Sequence, residues 1–442
     1  MERYEEYKDS GVEWIGEIPE GWDVRRVKSL ATGGDALFLD GDWIESDVIE
    51  DKGIRYLTTG NVGEGYYKDQ GTGFISEETF NKLNCLRVIP GDLLISRLNE
   101  PLGRACLAPN VFDEYVVAVD VVVLRGDSFL NRFLTYAMNE PHYAETALMH
   151  ARGSTMKRVS RTILGELKLP IPPIIEQEAI ADYLDTKTAE IDALVADCER
   201  EVGLLQEYRK AVISEAVTKG LDPDAPMKDS GVEWIGEIPE GWDAVRLDKV
   251  AIRKSGHTPD KKVPEYWDGS IVWISLADSP RLRANVYVNE STTMTTEAGI
   301  ANSSAELLPE GAVLLSRDAS VGLTAIAGVQ LAVSQHFMAY ICDACLNNEY
   351  LRYVFLAMRQ ELEKLSMGST IPTIGLPLMR KLTIPYPSRK AQDDIVGYLN
   401  AKVAGIDRLI DDNQSMIDKL REYRRSLISE AVTGKFKVTG VE

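Results

Sequence analysis

Apolar residues recur at heptad spacing through a long stretch near the middle of the chain. Their gaps are three, four and seven residues, the pattern of a helix that buries one narrow seam against a partner helix. The seam residues are Leu184, Ile191, Leu194, Cys198, Leu205, Tyr208 and Val212. The proline-rich run at residues 169–173 blocks a helix upstream, so we predict that this helix begins near Glu176 and ends at Gly220, a typical C-cap residue.

A second seam largely repeats the first, 215 positions later. Its residues are Leu399, Ile406, Leu409, Asn413, Met416, Leu420, Tyr423 and Leu427. A helix of about 42 residues is about 60 Å long, and a rod of that length with one apolar seam needs a partner. The simplest partner is the other helix, paired either parallel or antiparallel. Asn413 stands where the first seam has Cys198, and its amide either fixes the register of the pair or faces water.

The two stretches that precede these helices are rich in short strand patterns. Residues 114–125 (EYVVAVDVVVLR) form a β-branched run that predicts a strand. GDLLISR at residues 91–97 matches GAVLLSR at residues 311–317, 220 positions later. Short helices are predicted over residues 129–138 and 350–364. Shared elements with different loops indicate two inserts of one fold.

An internal repeat encloses these inserts. Sixteen consecutive residues, KDSGVEWIGEIPEGWD, occur at residues 8–23 and again at residues 228–243; we call each copy a frame segment. EYRKAVISEAVT at residues 207–218 is echoed by EYRRSLISEAVT at residues 422–433. A duplicated frame around two divergent inserts indicates one scaffold that presents two different binding domains. If the long helices are antiparallel, the inserts are related by a pseudo-twofold axis, as in a symmetric dimer.

The composition is that of a soluble multidomain protein with a strong acidic charge. Of the 442 residues, 44% are apolar and 27% charged, and no apolar run approaches the roughly 20 residues of a membrane span. Five thinly spread cysteines are typical of a reducing cytoplasm, where we expect the protein to act. The net charge is −20, but the inserts at residues 24–166 and 244–381 carry only −4 and 0, which leaves −16 on the rest. DNA is therefore not excluded, because phosphate binding needs only a local basic face.

The repeated parts resemble the specificity subunit of type I restriction–modification enzymes. The likeness is carried by SGVEWIGEIPEGW at the head of each half, by GST ahead of LKLPIPP and LTIPYP, by the helix start EQEAIADYLD and by the helix end ISEAVT. SGHTPDKKVPEYWDGSIVWI in the second insert is also similar to the opening of that family's target-recognition domains. The opening of the first insert, at residues 32–38, lacks the TP and PEYW elements.

The resemblance implies an α+β fold with two target-recognition domains of mixed strands and helices. An antiparallel coiled coil of two long conserved helices separates them, with pseudo-twofold symmetry. The implied parts are the first frame segment with target-recognition domain 1, the central helix, the second frame segment with target-recognition domain 2, and the C-terminal helix with its tail. In that order they span residues 1–174, 175–220, 221–387 and 388–442.

The resemblance also implies a function and a set of partners. Each target-recognition domain would read one half of a bipartite, asymmetric site in double-stranded DNA, and the helices would set the spacer and dock the partners. Those partners are modification (methyltransferase) subunits, in two copies, which bind S-adenosylmethionine and methylate adenine, and restriction subunits, which use ATP and Mg²⁺ to translocate and cleave DNA. This chain itself would hold no cofactor and catalyse nothing.

Candidate DNA contacts are cations, hydroxyls and amides of the inserts. Hydroxyls and amides at a helix start, with added cations, favour phosphate, although a solvated basic face is the alternative. The phosphate candidates are Ser154, Thr155, Lys157, Arg158 and Arg161, and in the second insert Ser369, Thr370 and Thr373. Base edges are read chiefly by Arg, Lys, Asn and Gln. The base candidates are Arg55, Asn61, Arg97, Asn99 and Arg104 in the first insert, and Lys261, Lys262, Arg281, Arg283, Arg317 and Gln335 in the second.

No motif of the sequence indicates catalysis or metal binding. Cys342 and Cys345 have the spacing of zinc ligands, but no second pair completes a set of four. The chain has no P-loop and no NPPF or DPPY motif, and its four scattered histidines form no triad. We therefore predict a non-catalytic, metal-free DNA-binding subunit. The alternatives are a coiled-coil assembly scaffold whose inserts bind proteins, and a self-contained DNA-modifying enzyme.

Overall fold

The computed structural model of the protein describes residues 2–367 and 372–438. The chain forms two compact units. Unit 1 comprises Met1–Cys198 and Ser415–Glu442, and unit 2 comprises Glu199–Gln414. Each long helix therefore contributes one part to each unit, a division that no linear partition of the sequence expresses.

The described residues of unit 1 hold eleven strands, four short α-helices and one part of each long helix. Its strands are β1 (Tyr7–Asp9), β2 (Glu17–Pro19), β3 (Asp23–Arg26), β4 (Leu37–Asp40), β5 (Ile54–Leu57), β6 (Phe74–Ile75), β7 (Leu93–Ser96), β8 (Ala105–Leu107), β9 (Tyr115–Val117), β10 (Val121–Arg125) and β11 (Lys168–Ile171). Its helices are α1 (Glu77–Leu83), α2 (Asn131–Met138), α3 (Pro141–Met149), α4 (Arg161–Glu166) and the start of α5 (Ile174–Lys219). The core sheet has the order β4-β10-β7-β8, beside a smaller sheet β6-β5-β9.

Unit 2 repeats this plan with a larger sheet. Its strands are β12 (Met227–Asp229), β13 (Glu237–Pro239), β14 (Asp243–Arg246), β15 (Ala251–Ser255), β16 (Trp267–Ile274), β17 (Tyr287–Val288), β18 (Met294–Thr295), β19 (Val313–Ser316), β20 (Thr324–Ala327), β21 (Leu331–Val333), β22 (Phe337–Cys342) and β23 (Thr383–Tyr386). Its helices are α6 (Ser279–Ala284), α7 (Glu297–Ala301), α8 (Asn348–Ala357), α9 (Arg359–Lys364), α10 (Leu376–Met379) and the start of α11 (Arg389–Val432). The core sheet has the order β15-β22-β19-β20-β17, beside β18-β16-β21.

The predicted inner strands are present and fully buried. All four residues of β7 and all four of β19 are buried, as expected of the equivalent strands GDLLISR and GAVLLSR. The run at residues 114–125 is divided into β9 and β10, because the chain turns where Val121 N–H bonds to Ala118 O. The helix predicted over residues 350–364 is likewise divided, into α8 and α9.

The frame segments tie the start of each insert to its end. Strand β3 pairs antiparallel with β11, and β14 pairs with β23, so each frame segment lies beside the strand that leads into a long helix. Helix α5 begins at Ile174, directly after Pro172 and Pro173, which is two residues before the predicted start. Buried Gln177 supports this corner: its Oε1 accepts from Leu130 N–H, and its Nε2 donates to Pro172 O.

Helices α5 and α11 pack together in antiparallel fashion. In unit 1 the Tyr183 ring lies edge-on to Phe436, and nine residues further along α5 Asp192 pairs with Arg424, earlier in the chain than Phe436. As α5 advances, its partners come from progressively earlier residues. In unit 2, Val212 of α5 shares a core with Leu399 of α11. The antiparallel α+β architecture implied by the resemblance is confirmed.

The inward-facing seam differs from the predicted one at five positions. Leu194, Tyr208, Leu409, Met416 and Tyr423 are 52%, 48%, 49%, 50% and 50% exposed. The remaining predicted positions are buried or half-buried: Leu184, Ile191, Leu205, Val212, Leu399, Ile406, Leu420 and Leu427. The inward residues at the five sites are the immediate neighbours Val195, Arg209, Ile410, Ile417 and Arg424.

At two of these positions the inward residue is charged, and at the other three it is apolar. An unbroken alternation of four and three runs through Leu205, Arg209 and Val212, so the seam position carries an arginine. A pattern of apolar residues alone passes over Arg209 and selects Tyr208 beside it.

The amide of Asn413, a polar residue of the second predicted seam, donates to Leu409 O on its own helix.

Candidate nucleic-acid interface

In each unit, the loop after an inner core strand is joined to the loop before a short helix. In unit 1, Asn99 N–H donates to Lys157 O, and Val159 N–H donates to Arg97 O. In unit 2, Ala319 N–H donates to Pro372 O. The structure therefore brings the predicted basic window of residues 153–161 together with the predicted base-reading residues at the end of β7.

Arginines of this junction share two carboxylates. Arg97 is 4% exposed, with Nε 2.7 Å from Asp40 and a terminal nitrogen 3.3 Å from Asp120. Arg158 lies 2.7 Å from Asp120, and Arg161 lies 3.6 Å from Asp40. Three guanidinium groups on two carboxylates leave one net positive charge. The Arg158 and Arg161 side chains are 49% and 41% exposed, so they remain open to an anion from solvent.

The hydroxyls of the window do not stand at a helix start. Helix α4 begins at Arg161, and its N-cap is Ser160, which accepts from Ile163 N–H. Ser154 and Thr155 are exposed on the loop several residues earlier. The prediction of hydroxyls at a helix N-terminus is therefore wrong, because the loop continues as far as Ser160. Contact of Ser154 and Thr155 with phosphate stays a prediction for an exposed loop.

Lys157 and Asn99 complete the exposed edge of this junction. The Lys157 ammonium is 2.6 Å from Glu100 and 42% exposed. Asn99 is exposed, with a left-handed backbone at φ 60°. An ion pair this exposed contributes little to stability, so it exchanges readily for a phosphate. We call Asn99, Lys157, Arg158 and Arg161 the basic edge.

Three other predicted base readers of unit 1 are buried inside the insert. Arg55 (3% exposed) donates to the carbonyls of residues 70, 71 and 73. Arg104 (8% exposed) donates to five carbonyls, of Thr59, Val62, Leu98, Asn99 and Pro101, and burial lowers its pKa. Asn61 (2% exposed) is held by residues 58, 68 and 70. These side chains organise loops through their own hydrogen bonds, and Arg97 does the same for the junction.

In unit 2, exposed candidates surround a cavity of about 580 Å³. Its wall includes the rings of Trp267 and Trp273, whose centroids are 5.0 Å apart in a T-shaped contact. Lys261 and Gln335 line the rim, and Thr258 Oγ1 hydrogen-bonds Gln335. The cavity thus combines aromatic faces with an amide and a cation, the groups that stack on and bond to bases. We call it the tryptophan cavity.

The remaining unit 2 candidates are dispersed. Lys262 is exposed, Arg281 pairs with Asp278 and Glu290, and Arg283 donates to Ser320 Oγ at 3.1 Å. Arg317 is 18% exposed and 3.4 Å from Asp318. Thr373 is half-buried, and its backbone pairs with Met367. Ser369 and Thr370 lie outside the described residues.

One residue of this surface, His336, was not predicted from the sequence. His336 lies beside Gln335 on the cavity wall, with Nδ1 2.9 Å from Asp318. The PEYW motif that supported the resemblance supplies Trp267 of the same wall. The histidine has no comparable signal, because nothing local links residue 336 to residue 267.

The cysteines and acidic residues do not gather into a metal centre within the described parts of the chain. No group of three or more His, Cys, Asp or Glu is arranged there to hold an ion. Burial raises the pKa of Cys342 to about 12 and that of Cys106 to about 11, so both thiols remain protonated at neutral pH. Across residues 2–367 and 372–438, no helix is long and apolar enough to cross a membrane.

Two matched ion pairs connect the long helices. Arg209 pairs with Asp407 at 2.7 Å in unit 2, and Arg424 pairs with Asp192 at 2.9 Å in unit 1. Adding 215 to the numbers of Asp192 and Arg209 gives Asp407 and Arg424, so both pairs are copies of one contact. The ion pair that joins the long helices is therefore part of the internal repeat.

Two unlike inserts on a duplicated frame with paired long helices define a two-domain specificity protein. Residues 19–197 and 239–412 match the model of the type I restriction modification DNA specificity domain. The chain belongs to this family, and it is a type I restriction–modification specificity subunit with DNA-recognition domains, a class that is not itself catalytic.

Relatives agree with this assignment, and solved structures share the fold. The putative type I restriction enzyme MjaX specificity subunit of Methanocaldococcus jannaschii is 23% identical over 96% of both chains. The EcoBI specificity subunit of Escherichia coli is 30% identical over 37% of this chain and 34% of its own length. A solved chain from work on assembly and conformational transition of the type I R-M system shares the fold, with a TM-score of 0.74, 15% identity and coverage of 94% of this chain and 98% of that chain. The HsdS subunit from Thermoanaerobacter tengcongensis gives a TM-score of 0.57 at 16% identity, with coverage of 94% and 98%.

Proposed function

We propose that this subunit reads a bipartite, asymmetric DNA site, one half with each insert. The observation that carries the proposal is the contrast between the inserts: unit 1 presents the basic edge, and unit 2 presents the tryptophan cavity. Identical frame segments hold these unlike surfaces. Two different readers on one frame fit a site whose two halves differ.

The basic edge supports phosphate contact in unit 1. The side chains of Lys157, Arg158 and Arg161 are 42%, 49% and 41% exposed and pair with carboxylates of the same junction. Charge-assisted bonds to phosphate can replace such exposed pairs at little cost. Asn99 is the one predicted base reader of unit 1 that is exposed, and its amide can bond an adenine edge. We leave Arg55, Asn61, Arg97 and Arg104 out of the proposed contact set, because their donors are occupied internally.

The tryptophan cavity supports base contact in unit 2. Gln335 and Lys261 lie on its rim, where an amide and an ammonium can reach acceptors and donors of a base edge. Arg283 and Lys262 are exposed cations for the backbone, and Arg317 and Arg281 are tied to carboxylates. The chemistry differs from that of unit 1, which is what an asymmetric site requires.

We further propose that α5 and α11 set the spacer between the half-sites and dock two modification subunits. Those subunits would supply S-adenosylmethionine and the adenine methyl transfer, and restriction subunits would supply ATP- and Mg²⁺-dependent translocation and cleavage. The acidity of the frame, −16 outside the inserts, fits a surface for protein partners in the cytoplasm.

Methylation mapping tests the bipartite reading. The subunit and its modification partner are expressed in a host that lacks other adenine methylation, and methylated adenines are mapped across the genome. We expect one two-part motif with a fixed spacer. Replacing the unit 2 insert (residues 244–381) with that of another specificity subunit should change one half of the motif only. Random methylation, or a change in both halves, would contradict the proposal.

Neutralising the basic edge separates DNA reading from the scaffold alternative. The variant Lys157→Gln/Arg158→Gln/Arg161→Gln should weaken DNA binding by about tenfold or more and reduce its salt dependence. The control Arg359→Gln removes an exposed cation of α9. If the triple variant methylates its site as the control does while partner binding is retained, the inserts bind proteins and the scaffold hypothesis is favoured. Methyl transfer by the isolated chain would instead establish a self-contained enzyme.

A further inference from the structure

The first frame segment binds the tail that follows α11. The Lys435 ammonium donates to Ile15 O at 2.9 Å and to Glu17 O at 2.7 Å. Phe436 is 5% exposed, and its ring lies 5.8 Å from Tyr183 in an edge-on contact. The first frame segment and Tyr183 together thus form a receptor for an aromatic residue next to a lysine.

The second frame segment is identical in sequence, yet its receptor holds no such tail. A Cβ at Gly16 would lie 3.5 Å from the Lys435 ammonium, whereas a Cβ at the equivalent Gly236 would meet nothing within 4 Å. Tyr398, which stands 215 positions after Tyr183, is 43% exposed. Beside it lies a cavity of about 570 Å³. The place that the tail fills in unit 1 is open in unit 2.

The reason lies in the chain that leaves each helix. Both helices end alike, with left-handed glycines that pack on a frame tryptophan: Gly434 on Trp22 and Gly220 on Trp242. Two residues after Gly434 the chain supplies Phe436, but two residues after Gly220 it supplies Asp222. The linker then continues into β12, and its residues 221–226 include no aromatic side chain for the cavity.

The lining of the cavity defines what it can accept. Val212, Met227 and Tyr398 form an apolar wall. The carboxylates that line it are Glu215, Asp222 and Glu237, against the single cation Lys219. A wall of this kind favours an apolar ring, and a rim with two excess negative charges favours cations beside it.

We propose that this cavity is a docking site for a partner polypeptide that carries an aromatic residue flanked by lysine or arginine. The aromatic ring packs on Tyr398 as Phe436 packs on Tyr183. The flanking cation reaches the carbonyls of Ile235 and Glu237 as Lys435 reaches those of Ile15 and Glu17. The chain's own tail is engaged in unit 1, so the occupant comes from another polypeptide. The site goes beyond DNA reading and does not depend on it.

The tail sequence itself is the natural probe. A fluorescent peptide TGKFKV, capped at both ends and matching residues 433–438, is titrated with the full chain and followed by anisotropy. We expect saturable binding, with a Kd on the order of 10–100 µM. Replacing Phe by Ala in the peptide, or Tyr398→Ala in the protein, should weaken binding at least tenfold. The control Tyr208→Ala removes another half-exposed tyrosine of the helix pair and should leave binding unchanged.

Crosslinking keeps the test valid even if the Tyr398 variant folds poorly. A peptide with benzoylphenylalanine in place of Phe should label residues 212–223 or Tyr398 of the wild-type chain. No binding up to 1 mM peptide, or labelling confined to the surroundings of Tyr183, would overturn the proposal. A concentration-dependent dimer that disappears when residues 435–442 are deleted would overturn it as well, by assigning the cavity to the tail of a second copy.

Discussion

The three arginines of the unit 1 junction differ in role. Arg97 is buried and organises the loops of the junction, whereas Arg158 and Arg161 are exposed and open to an anion from solvent. Arg97 serves Asp40, Asp120 and two carbonyls from a position that is 4% exposed. Arg158 and Arg161 pair with the same two carboxylates from the solvent side. The guanidinium group is the same in all three, so burial alone sets the difference in role.

This division predicts opposite phenotypes for neighbouring arginines. Arg97→Leu removes the closest partner of half-buried Asp40 and a second partner of Asp120, and should destabilise the protein by about 3–5 kcal/mol. Arg158→Leu removes an exposed pair and should cost at most about 1 kcal/mol, yet weaken DNA binding. Urea unfolding and salt-dependent DNA binding measure the two effects. Equal stability losses would mean that Arg97 is not structural.

An ion pair between His142 and Glu140 makes the stability of unit 1 depend on pH. Glu140 is fully buried, caps α3 through Tyr143 N–H and accepts from Ser429 of α11. His142 Nδ1 lies 2.7 Å from Glu140, and this hydrogen bond raises the pKa of His142 above its usual value. Because the folded pKa exceeds the unfolded one, the pair stabilises the fold fully below about pH 6.5, and the contribution disappears as pH rises through the folded pKa.

The comparison with His142→Gln checks this dependence. The wild type should be more stable than the variant at pH 5.5, by about 0.5 kcal/mol since the imidazole is largely exposed, and the difference should vanish by pH 8.5. Thermal unfolding at half-unit pH steps measures it. A difference that grows with pH would show that Glu140 does not act through the protonated imidazole.

At the scale of elements, two equivalent glutamines brace the starts of the long helices. Gln392 is 0% exposed; its Oε1 accepts from Asn347 N–H, and its Nε2 donates to Cys345 O and Pro387 O. Gln177 has the same role 215 positions earlier. Each glutamine thus joins a long helix to the N-cap of an insert helix.

Removing this brace should weaken unit 2 specifically. Gln392→Met keeps the volume but leaves buried backbone groups unpaired, and should cost about 1–3 kcal/mol. Gln206→Met is the matched change on the exposed face of α5 and should shift stability by less than about 0.5 kcal/mol. Hydrogen exchange at α8 and at the start of α11 reports the local loss. Unchanged exchange there would show that packing alone holds this corner.

The sequence predicted the elements better than the details that position side chains. Helix limits, inner strands and the duplicated frame follow from prolines, β-branched runs and a literal repeat. The true seam was missed at Arg209 and Arg424, because a half-buried charged residue can hold a seam position when it pairs with an aspartate of the other helix. It was also missed at Val195, Ile410 and Ile417, where the apolar residue next to the predicted one faces inward. Arg55 and Arg104 were chosen by residue type alone, and no local pattern shows that distant loops bury them. The tryptophan cavity depends on long-range pairing, which a single sequence does not express.

For the whole molecule, the decisive feature is that unit 1 is built from both ends of the chain. Glu2 pairs with Lys437, and the tail packs on the first frame segment. The boundary between the units falls inside each long helix, after Cys198 in α5 and after Gln414 in α11. We therefore expect residues added at those two points to leave the contacts inside each unit unchanged.

Inserting one heptad at both points therefore tests whether the helices set the spacer. Seven residues add about 10.5 Å of helix, which corresponds to about three base pairs at 3.4 Å each. A heptad keeps the apolar seam in phase, so the pairs Arg209–Asp407 and Arg424–Asp192 can both form. We expect methylation mapping to show both half-site sequences unchanged and a spacer longer by about three base pairs. Substituting the same seven residues for existing ones, with helix length constant, should leave the spacer as it was. An unaltered spacer in the lengthened protein would mean that something other than α5 and α11 sets the distance.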